Sequence, residues 1–298
     1  MNIGEYLQEK KEVVDRALEK YLPKETEFPS TLHKAIRHSL FDGGKRIRPI
    51  LSIAAFEAVG GKGDGILPFA CALEMIHTYS LIHDDLPAID NDDYRRGKLT
   101  CHKVFGEAIG ILAGDALLTE AFKLMAARQL HEGLRHDGSL ILGIINEVAQ
   151  AAGVLGMIGG QVVDIESEGK EVDFSTVQYI HTHKTGALIL ASIRTGAKLG
   201  SANQETLKAF TRYGERIGLA FQIVDDILNV EGKAHLLGKK TGSDLSKGKA
   251  TYPSVLGLEE SKRRANELLD LAVEALGPFG TEVDPLREIA RFIIAREY

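Results

Sequence analysis

Ile66-Leu67-Pro68-Phe69-Ala70-Cys71-Ala72-Leu73-Glu74-Met75-Ile76-His77-Thr78-Tyr79-Ser80-Leu81-Ile82-His83-Asp84-Asp85-Leu86 is mostly apolar on nearly every side of a helix. A helix of that kind is buried on all faces, so this one is expected at the centre of its fold. Pro87 follows at once, and the residue before a proline is biased away from helix, so the helix should stop near Asp85. Upstream, Ile3, Tyr6, Leu7, Val13, Val14, Ala17, Leu18, Tyr21 and Leu22 fall on one helical stripe that Pro23 closes. A second helix fits from Ser30 to Gly43-Gly44, and a third from Pro49, which suits a first turn, to Gly60-Gly61.

Downstream, helical periodicity covers 104–132, 139–157, 174–198, 203–230, 261–276 and 284–297. The intervening stretches carry Gly, Asp and Lys, with no period-2 strand, no strand–helix–strand alternation and no internal repeat. The expected fold class is all-α: one domain over 1–298, a bundle of about ten or more helices.

A length of 298 residues does not force a division into domains, and 44% apolar with 26% charged residues is ordinary for a globular protein. A net charge of −6 argues against a general nucleic-acid binder. Cys71 and Cys101 have no metal-ligand spacing, and Cys71 among Phe69, Ala70 and Ala72 reads as a buried thiol in a reducing compartment. Met1-Asn2-Ile3-Gly4-Glu5 lacks a basic segment leading into an apolar one, and no apolar run reaches the roughly 18 residues of a membrane span. A cytoplasmic protein without integral membrane association is the expectation.

Two acidic runs carry the chemistry: His83-Asp84-Asp85-Leu86-Pro87-Ala88-Ile89-Asp90 and Phe221-Gln222-Ile223-Val224-Asp225-Asp226. Asp84 and Asp85 close the central helix, where carboxylates meet the negative end of the helix dipole at a cost of about 0.3–1 kcal/mol each. A bound cation turns that penalty into affinity; a solvated acidic loop is the competing reading. Asp225 and Asp226 stand near the end of a second apolar helix, with Asn229 one turn on. Two helix ends of this kind, set across a cavity, would suit Mg²⁺ bridged by phosphate oxygens, since the donors are carboxylates without a His or Cys set.

Basic residues cluster as well, in Lys45-Arg46-Ile47-Arg48, Arg95-Arg96-Gly97-Lys98, Lys184-Thr185, Lys239-Lys240 and Lys247-Gly248-Lys249. Any one group could be surface charge. Lys184 is harder to dismiss, because Ala187, Leu188 and Ile189 follow it in an apolar helix. Gly61-Lys62-Gly63-Asp64-Gly65 has the wrong spacing for a dinucleotide fingerprint, and no phosphate-cradling Gly-x-x-x-x-Gly-Lys-Ser/Thr occurs. Phosphate recognition would therefore fall to side chains and metal.

Residues 74–90, continued by Asp92-Asp93-Tyr94-Arg95-Arg96-Gly97-Lys98 and Thr100-Cys101-His102, resemble the first aspartate-rich motif of the trans-isoprenyl diphosphate synthase family. The Gly44–Pro49 turn, Gly160-Gln161, Lys184-Thr185, Phe221-Gln222 with Asp225-Asp226, and Gly238-Lys239 match in order. The resemblance implies helices around a central active-site cavity, three Mg²⁺ and a homodimer to which an apolar helix such as 104–132 contributes. Asp84, Asp85, Asp90 and Asp225 would bind metal. Arg95, Lys184, Gln222, Lys239 or Lys240, and Lys249 would hold an allylic diphosphate, with Arg95, Lys184 and Lys239 helping it ionise. Lys45, Arg48, His77 and Arg96 would hold isopentenyl diphosphate, and Thr185 and Phe221 would line the space between the substrates. Asn229 departs from the family, which usually has a third Asp there.

The implied reaction is head-to-tail prenyl transfer, with the allylic diphosphate ionising, isopentenyl diphosphate attacking and a proton leaving. Tyr79 and Ser80, more than one helical turn before the acidic pair, are the expected chain-length residues, and an aromatic ring at 79 implies a product near fifteen carbons, farnesyl diphosphate. Geranyl or geranylgeranyl diphosphate synthesis is the alternative within the family. A non-catalytic subunit is weaker because both acidic pairs persist, and a terpene cyclase because a second basic group is present.

Overall fold

The computed structural model describes residues 1–131, 137–231 and 249–295. The first helices are α1 (Ile3–Tyr21), α2 (Ser30–Phe41), α3 (Ile47–Ala58) and α4 (Leu67–Asp84). After a short β1–β2 pair (Tyr94–Arg95, Lys98–Leu99) come α5 (Cys101–Phe105), α6 (Glu107–Ala126), α7 (Gly138–Ala152) and α8 (Met157–Ser167). Then follow α9 (Phe174–Ile180), a π-helical turn (His181–Gly186), α10 (Ala187–Leu199) and α11 (Gln204–Glu231). The chain ends in α12 (Tyr252–Leu256), α13 (Leu258–Ala275) and α14 (Asp284–Ile294). The fold is all-α, as the periodicity predicts.

Contacts divide the chain into two compact units. One comprises Leu7–Ile50 and Gly63–Leu134; the other comprises Met1–Tyr6, Leu51–Lys62 and Arg135–Tyr298.

In the first unit α4 packs along α6 and α2. Phe69, Ala70, Cys71, Ala72, Leu73, Met75 and Ile76 are all buried, so α4 shows no polar stripe up to Ile76 because that stretch has no wet face. Each large side chain among them contributes about 1.5–3 kcal/mol through burial. Glu74 is the buried charge among them: it lies 2.8 Å from Arg46, whose guanidinium also reaches Asp15 at 2.8 Å and the Leu40 carbonyl at 2.6 Å. Burial alone would lower the Arg46 pKa, but Glu74 and Asp15 outweigh it and raise it. Arg46 is thus a structural cation, and the sequence reading had no means to separate it from Lys45 and Arg48.

In the second unit α11 is the long axis, packed by α10, α13 and the π-helical turn. Ile223, Val224, Ile227 and Leu228 on α11 join Val177, Tyr252 and Ala265 in a buried cluster.

Several expected boundaries shift. The helix anticipated over 104–132 breaks at Gly106, whose φ is +85°, into α5 and α6. The one anticipated over 139–157 ends at Ala152, and α8 is an additional helix beyond the glycine-rich joint. The helix over 174–198 is interrupted by the π-helical turn, and α12 precedes α13. The β pair escapes a search for period-2 alternation because each strand has two residues. Arg96 and Gly97 turn it with φ of +53° and +79°, the two positive values a tight hairpin needs.

One further expectation is corrected: among the described residues two stretches are long and apolar enough to cross a membrane by length and composition, Asp64–Asp84 and Gly138–Ser167. A continuous apolar run misses them because each tolerates an occasional charge. The first is the core helix, 78% buried within the protein. The second is 28% buried and exposes Leu142, Val154 and Leu155.

Candidate active site

The site residues divide between the two units. In the first, α4 ends on Asp84, and the chain folds back over its last turn instead of leaving it. The Asp90 and Asp92 N–H groups donate to the Asp84 and Asp85 carbonyls at 2.8 and 3.2 Å, and Asn91 N–H to Leu86 at 3.0 Å. These bonds satisfy carbonyls that a helix end leaves orphaned, and they return Asp90 to the acidic pair. Asp84 and Asp90 are half-buried, whereas Asp85 is 3% exposed.

Arg95, on the hairpin, grips Asp85 with both arms: Nε lies 2.8 and 3.0 Å from its two oxygens, and a terminal nitrogen 2.6 Å from Oδ1. Burial would lower the Arg95 pKa, but its bond to Asp85, with Asp84 and Asp92 beyond, raises it. Arg96 turns the other way and donates to the Gly43 carbonyl at 2.9 Å. Asp85, Arg95 and Arg96 line a pocket enclosing about 370 Å³, mouth included, together with Thr78, Leu81 and Ile82.

His77 lies two turns before Asp84 on α4, partly buried. Burial first, then the positive fields of Arg48, Arg96, Arg95 and Arg46, push its pKa well below the ordinary imidazole value, so it is neutral. Arg48 and Arg96, which the sequence groups with His77, thus act on it together with Arg95 and Arg46, which it does not. Lys45 is exposed on the neighbouring turn. The Tyr79 ring is buried and meets His83 edge-on, with centroids 5.7 Å apart. Burial, then Asp84, pushes its phenol up to about 12. The Ser80 hydroxyl turns back onto its own helix, donating to the His77 carbonyl at 2.8 Å.

In the second unit Lys184 and Thr185 sit in the π-helical turn, a wider coil common at functional sites. Glycines permit it. A Cβ on Gly160 of α8 would lie 2.2 Å from the Lys184 nitrogen, and one on Gly218 of α11 would lie 2.9 Å from Gly186 Cα. The unusual lysine within apolar sequence has its explanation in Asp164, 2.6 Å from Nζ, and Lys249 approaches the same carboxylate at 3.8 Å. Thr185 donates to the Gln222 carbonyl oxygen at 2.9 Å.

The second acidic pair splits in role. Asp226 is 3% exposed, and its carboxylate accepts from Gln222, His181 and the Tyr252 N–H. Asp225 is half-buried, as are Phe221 and Asn229. Lys239 and Lys240 lie outside the described residues. Asp164 and His181 were missed by the sequence reading, although Asp164 stands three residues after the quoted Gly160-Gln161 and His181 three before Lys184.

Among the described residues no three His, Cys, Asp or Glu side chains are gathered as a ready metal cage. Mg²⁺ keeps several waters and takes one or two carboxylates plus phosphate oxygens, so its binding does not require such a cage. The oxygen-only donors at Asp84, Asp85, Asp90 and Asp225 are of the kind that ion takes.

The polyprenyl synthetase family matches residues 29–277. The chain is 47% identical over 296 residues to the geranylgeranyl diphosphate synthase of Cyanophora paradoxa, covering 99% of this chain and 97% of that one. It is 44% identical over 298 residues to the farnesyl diphosphate synthase of Geobacillus stearothermophilus, covering 100% and 99%. A crystal structure of an FPP/GFPP synthase from Zymomonas mobilis superposes with a TM-score of 0.87 at 37% identity, covering 99% of both chains.

Proposed function

We propose that this chain, a trans-prenyltransferase that belongs to the polyprenyl synthetase family, condenses isopentenyl diphosphate with dimethylallyl and geranyl diphosphate to make farnesyl diphosphate. The observation that carries the product length is the buried Tyr79 ring, five residues before Asp84 on α4. At the rise of a helix that is about 7.5 Å from the acidic end, where a ring would stop a growing chain. Geranylgeranyl diphosphate is the second reading, favoured by the 47% identity to a synthase of that name. The family match runs over most of 1–298, and we read the whole as one synthase domain.

On this reading Asp84, Asp85 and Asp90, and likewise Asp225, would hold Mg²⁺. Metal held there would supply neutralising charge for a departing pyrophosphate, a large electrostatic contribution in a dry site. The chain's own residues do the rest. Arg95, Lys184, Gln222, Lys249 and, outside the described residues, Lys239 or Lys240 would bind the allylic diphosphate. As its C–O bond breaks, the electron pair leaves with pyrophosphate, and fixed cations stabilise that charge. Arg95 is held by Asp85, so it is already oriented and its fork suits phosphate oxygens. Lys45, Arg48, His77 and Arg96 would hold isopentenyl diphosphate; a neutral His77 donates one hydrogen bond without adding charge to an already cationic group. Thr185 and Phe221 would line the space in which the new C–C bond forms, and holding both reactants there is a proximity effect. The proton lost afterwards would pass to pyrophosphate.

A homodimer is part of the proposal. Ile111 and Leu112 on α6, within the stretch expected to support it, are exposed apolar side chains of the kind a partner copy covers. A cytoplasmic location accords with Cys71 and Cys101 being buried free thiols. Incubation with dimethylallyl and isopentenyl diphosphates, with and without Mg²⁺, followed by product chromatography, tests the activity. A fifteen-carbon product that requires Mg²⁺ is expected; a twenty-carbon product replaces the first reading with the second.

A further inference from the structure

We infer that His181 and Asp226 form a positioning couple for the π-helical turn, and that Asp226, though adjacent to Asp225, is a scaffold and not a metal ligand; this rests on the site reading above. His181 begins the turn that carries Lys184 and Thr185, and its Nε2 lies 2.7 Å from Asp226 Oδ2 with both side chains almost wholly buried. A carboxylate can only accept, so His181 must donate from Nε2. The same oxygen accepts the Tyr252 N–H at 3.0 Å, while Oδ1 accepts from Gln222 Nε2 at 3.1 Å.

Both oxygens of Asp226 are therefore committed to three protein donors, one of them a backbone N–H, whereas Asp85 is held by the Arg95 side chain and lines a pocket. This sets the direction of the next bond. Because Gln222 presents its NH₂ to Asp226, its carbonyl oxygen faces Thr185, whose hydroxyl donates to it at 2.9 Å. Donors run one way, from Thr185 and His181 toward one buried charge. The Thr185 proton is thereby engaged, and its oxygen lone pairs are what the hydroxyl can offer a cationic carbon. The His181 ring also packs 5.1 Å from Tyr252, tying the turn to the start of α12. Sequence proximity to Lys184 does not predict this; the tie is made across the fold.

Steady-state kinetics with isopentenyl and geranyl diphosphates, Mg²⁺ titrations and thermal melts of four variants test the couple. His181→Leu and Asp226→Asn should lower kcat by on the order of 100-fold through misplaced groups, with the Mg²⁺ midpoint and the KM for isopentenyl diphosphate unchanged. His181→Gln, which retains an N–H for Asp226, should recover most of the rate. Wild-type kcat in both His181→Leu and Asp226→Asn overturns the couple, as does equal loss in His181→Gln and His181→Leu. A displaced Mg²⁺ midpoint in Asp226→Asn makes that carboxylate a ligand and also overturns it. Should His181→Leu fail to fold, the nearly isosteric Asp226→Asn decides. Lys184→Ala separates the two levels: full activity there sinks the underlying site reading, whereas loss there beside wild-type rates in the others sinks only the couple.

Discussion

The Lys184 ammonium lies 2.6 Å from Asp164, a carboxylate whose side chain is 7% exposed, and Lys249 stands 3.8 Å from the same oxygen. Two like charges are held close by one buried counter-charge. The lysines are thus ordered before any anion arrives, and the repulsion between them is offset within the protein.

Replacing Asp164 with Ala removes that counter-charge. Breaking a buried pair costs about 3–5 kcal/mol. Lys184 and Lys249 are 23% and 13% exposed, so solvent reduces the expected loss of stability to about 1–3 kcal/mol. The turnover rate should fall by roughly tenfold as well. Denaturant unfolding read beside initial rates checks both, and an unchanged rate would remove Asp164 from the lysine-ordering role.

Arg95→Lys should be far from conservative. The guanidinium makes two parallel contacts with Asp85 and presents a fork to phosphate, whereas an ammonium offers a point charge. A fall in kcat of about 100-fold is expected, the scale for losing a donor aimed at developing charge. A pre-steady-state burst comparison locates the loss in chemistry or in release.

Tyr79→Ala opens the space below the acidic end of α4. Its ring is buried, so truncation leaves a cavity that a longer chain can enter. The product should lengthen from fifteen carbons toward twenty or more. Chromatography of dephosphorylated products decides, and an unaltered product would place the length limit elsewhere.

Acid should destabilise the protein through His77. Its pKa is depressed in the folded state below the ordinary 6.5, so below that pH the unfolded chain binds the extra proton and the folded one does not. The stability associated with neutral His77 is present above pH 6.5 and declines as pH falls beneath it. Melting temperatures measured between roughly pH 7 and pH 5 should drop less steeply in His77→Gln than in the wild type. Parallel curves would show that another group governs the decline.

Local signals carried a good part of the architecture. An all-apolar helix such as α4 announces its burial, and a carboxylate pair followed by Pro87 announces where it stops. Phe221 to Asp226 reads as helix because the 3.6-residue period persists through it. The same logic failed at joints. The Gly153–Gly156 break, the π-helical turn and the two-residue strands are shorter than the stretch over which a period can be recognised.

What the chain by itself determined was its fold class, its helix order and the residue types available for diphosphate chemistry, since periodicity and charge are properties of neighbours along the backbone. Only the tertiary structure decided which charges serve as structure and which face a pocket. Arg46 is consumed by Asp15 and Glu74, Asp226 by His181 and Gln222, and Lys184 finds Asp164 on another helix. Each of those assignments depends on desolvation and on a partner brought near by packing, and neither is written in the spacing of the residues.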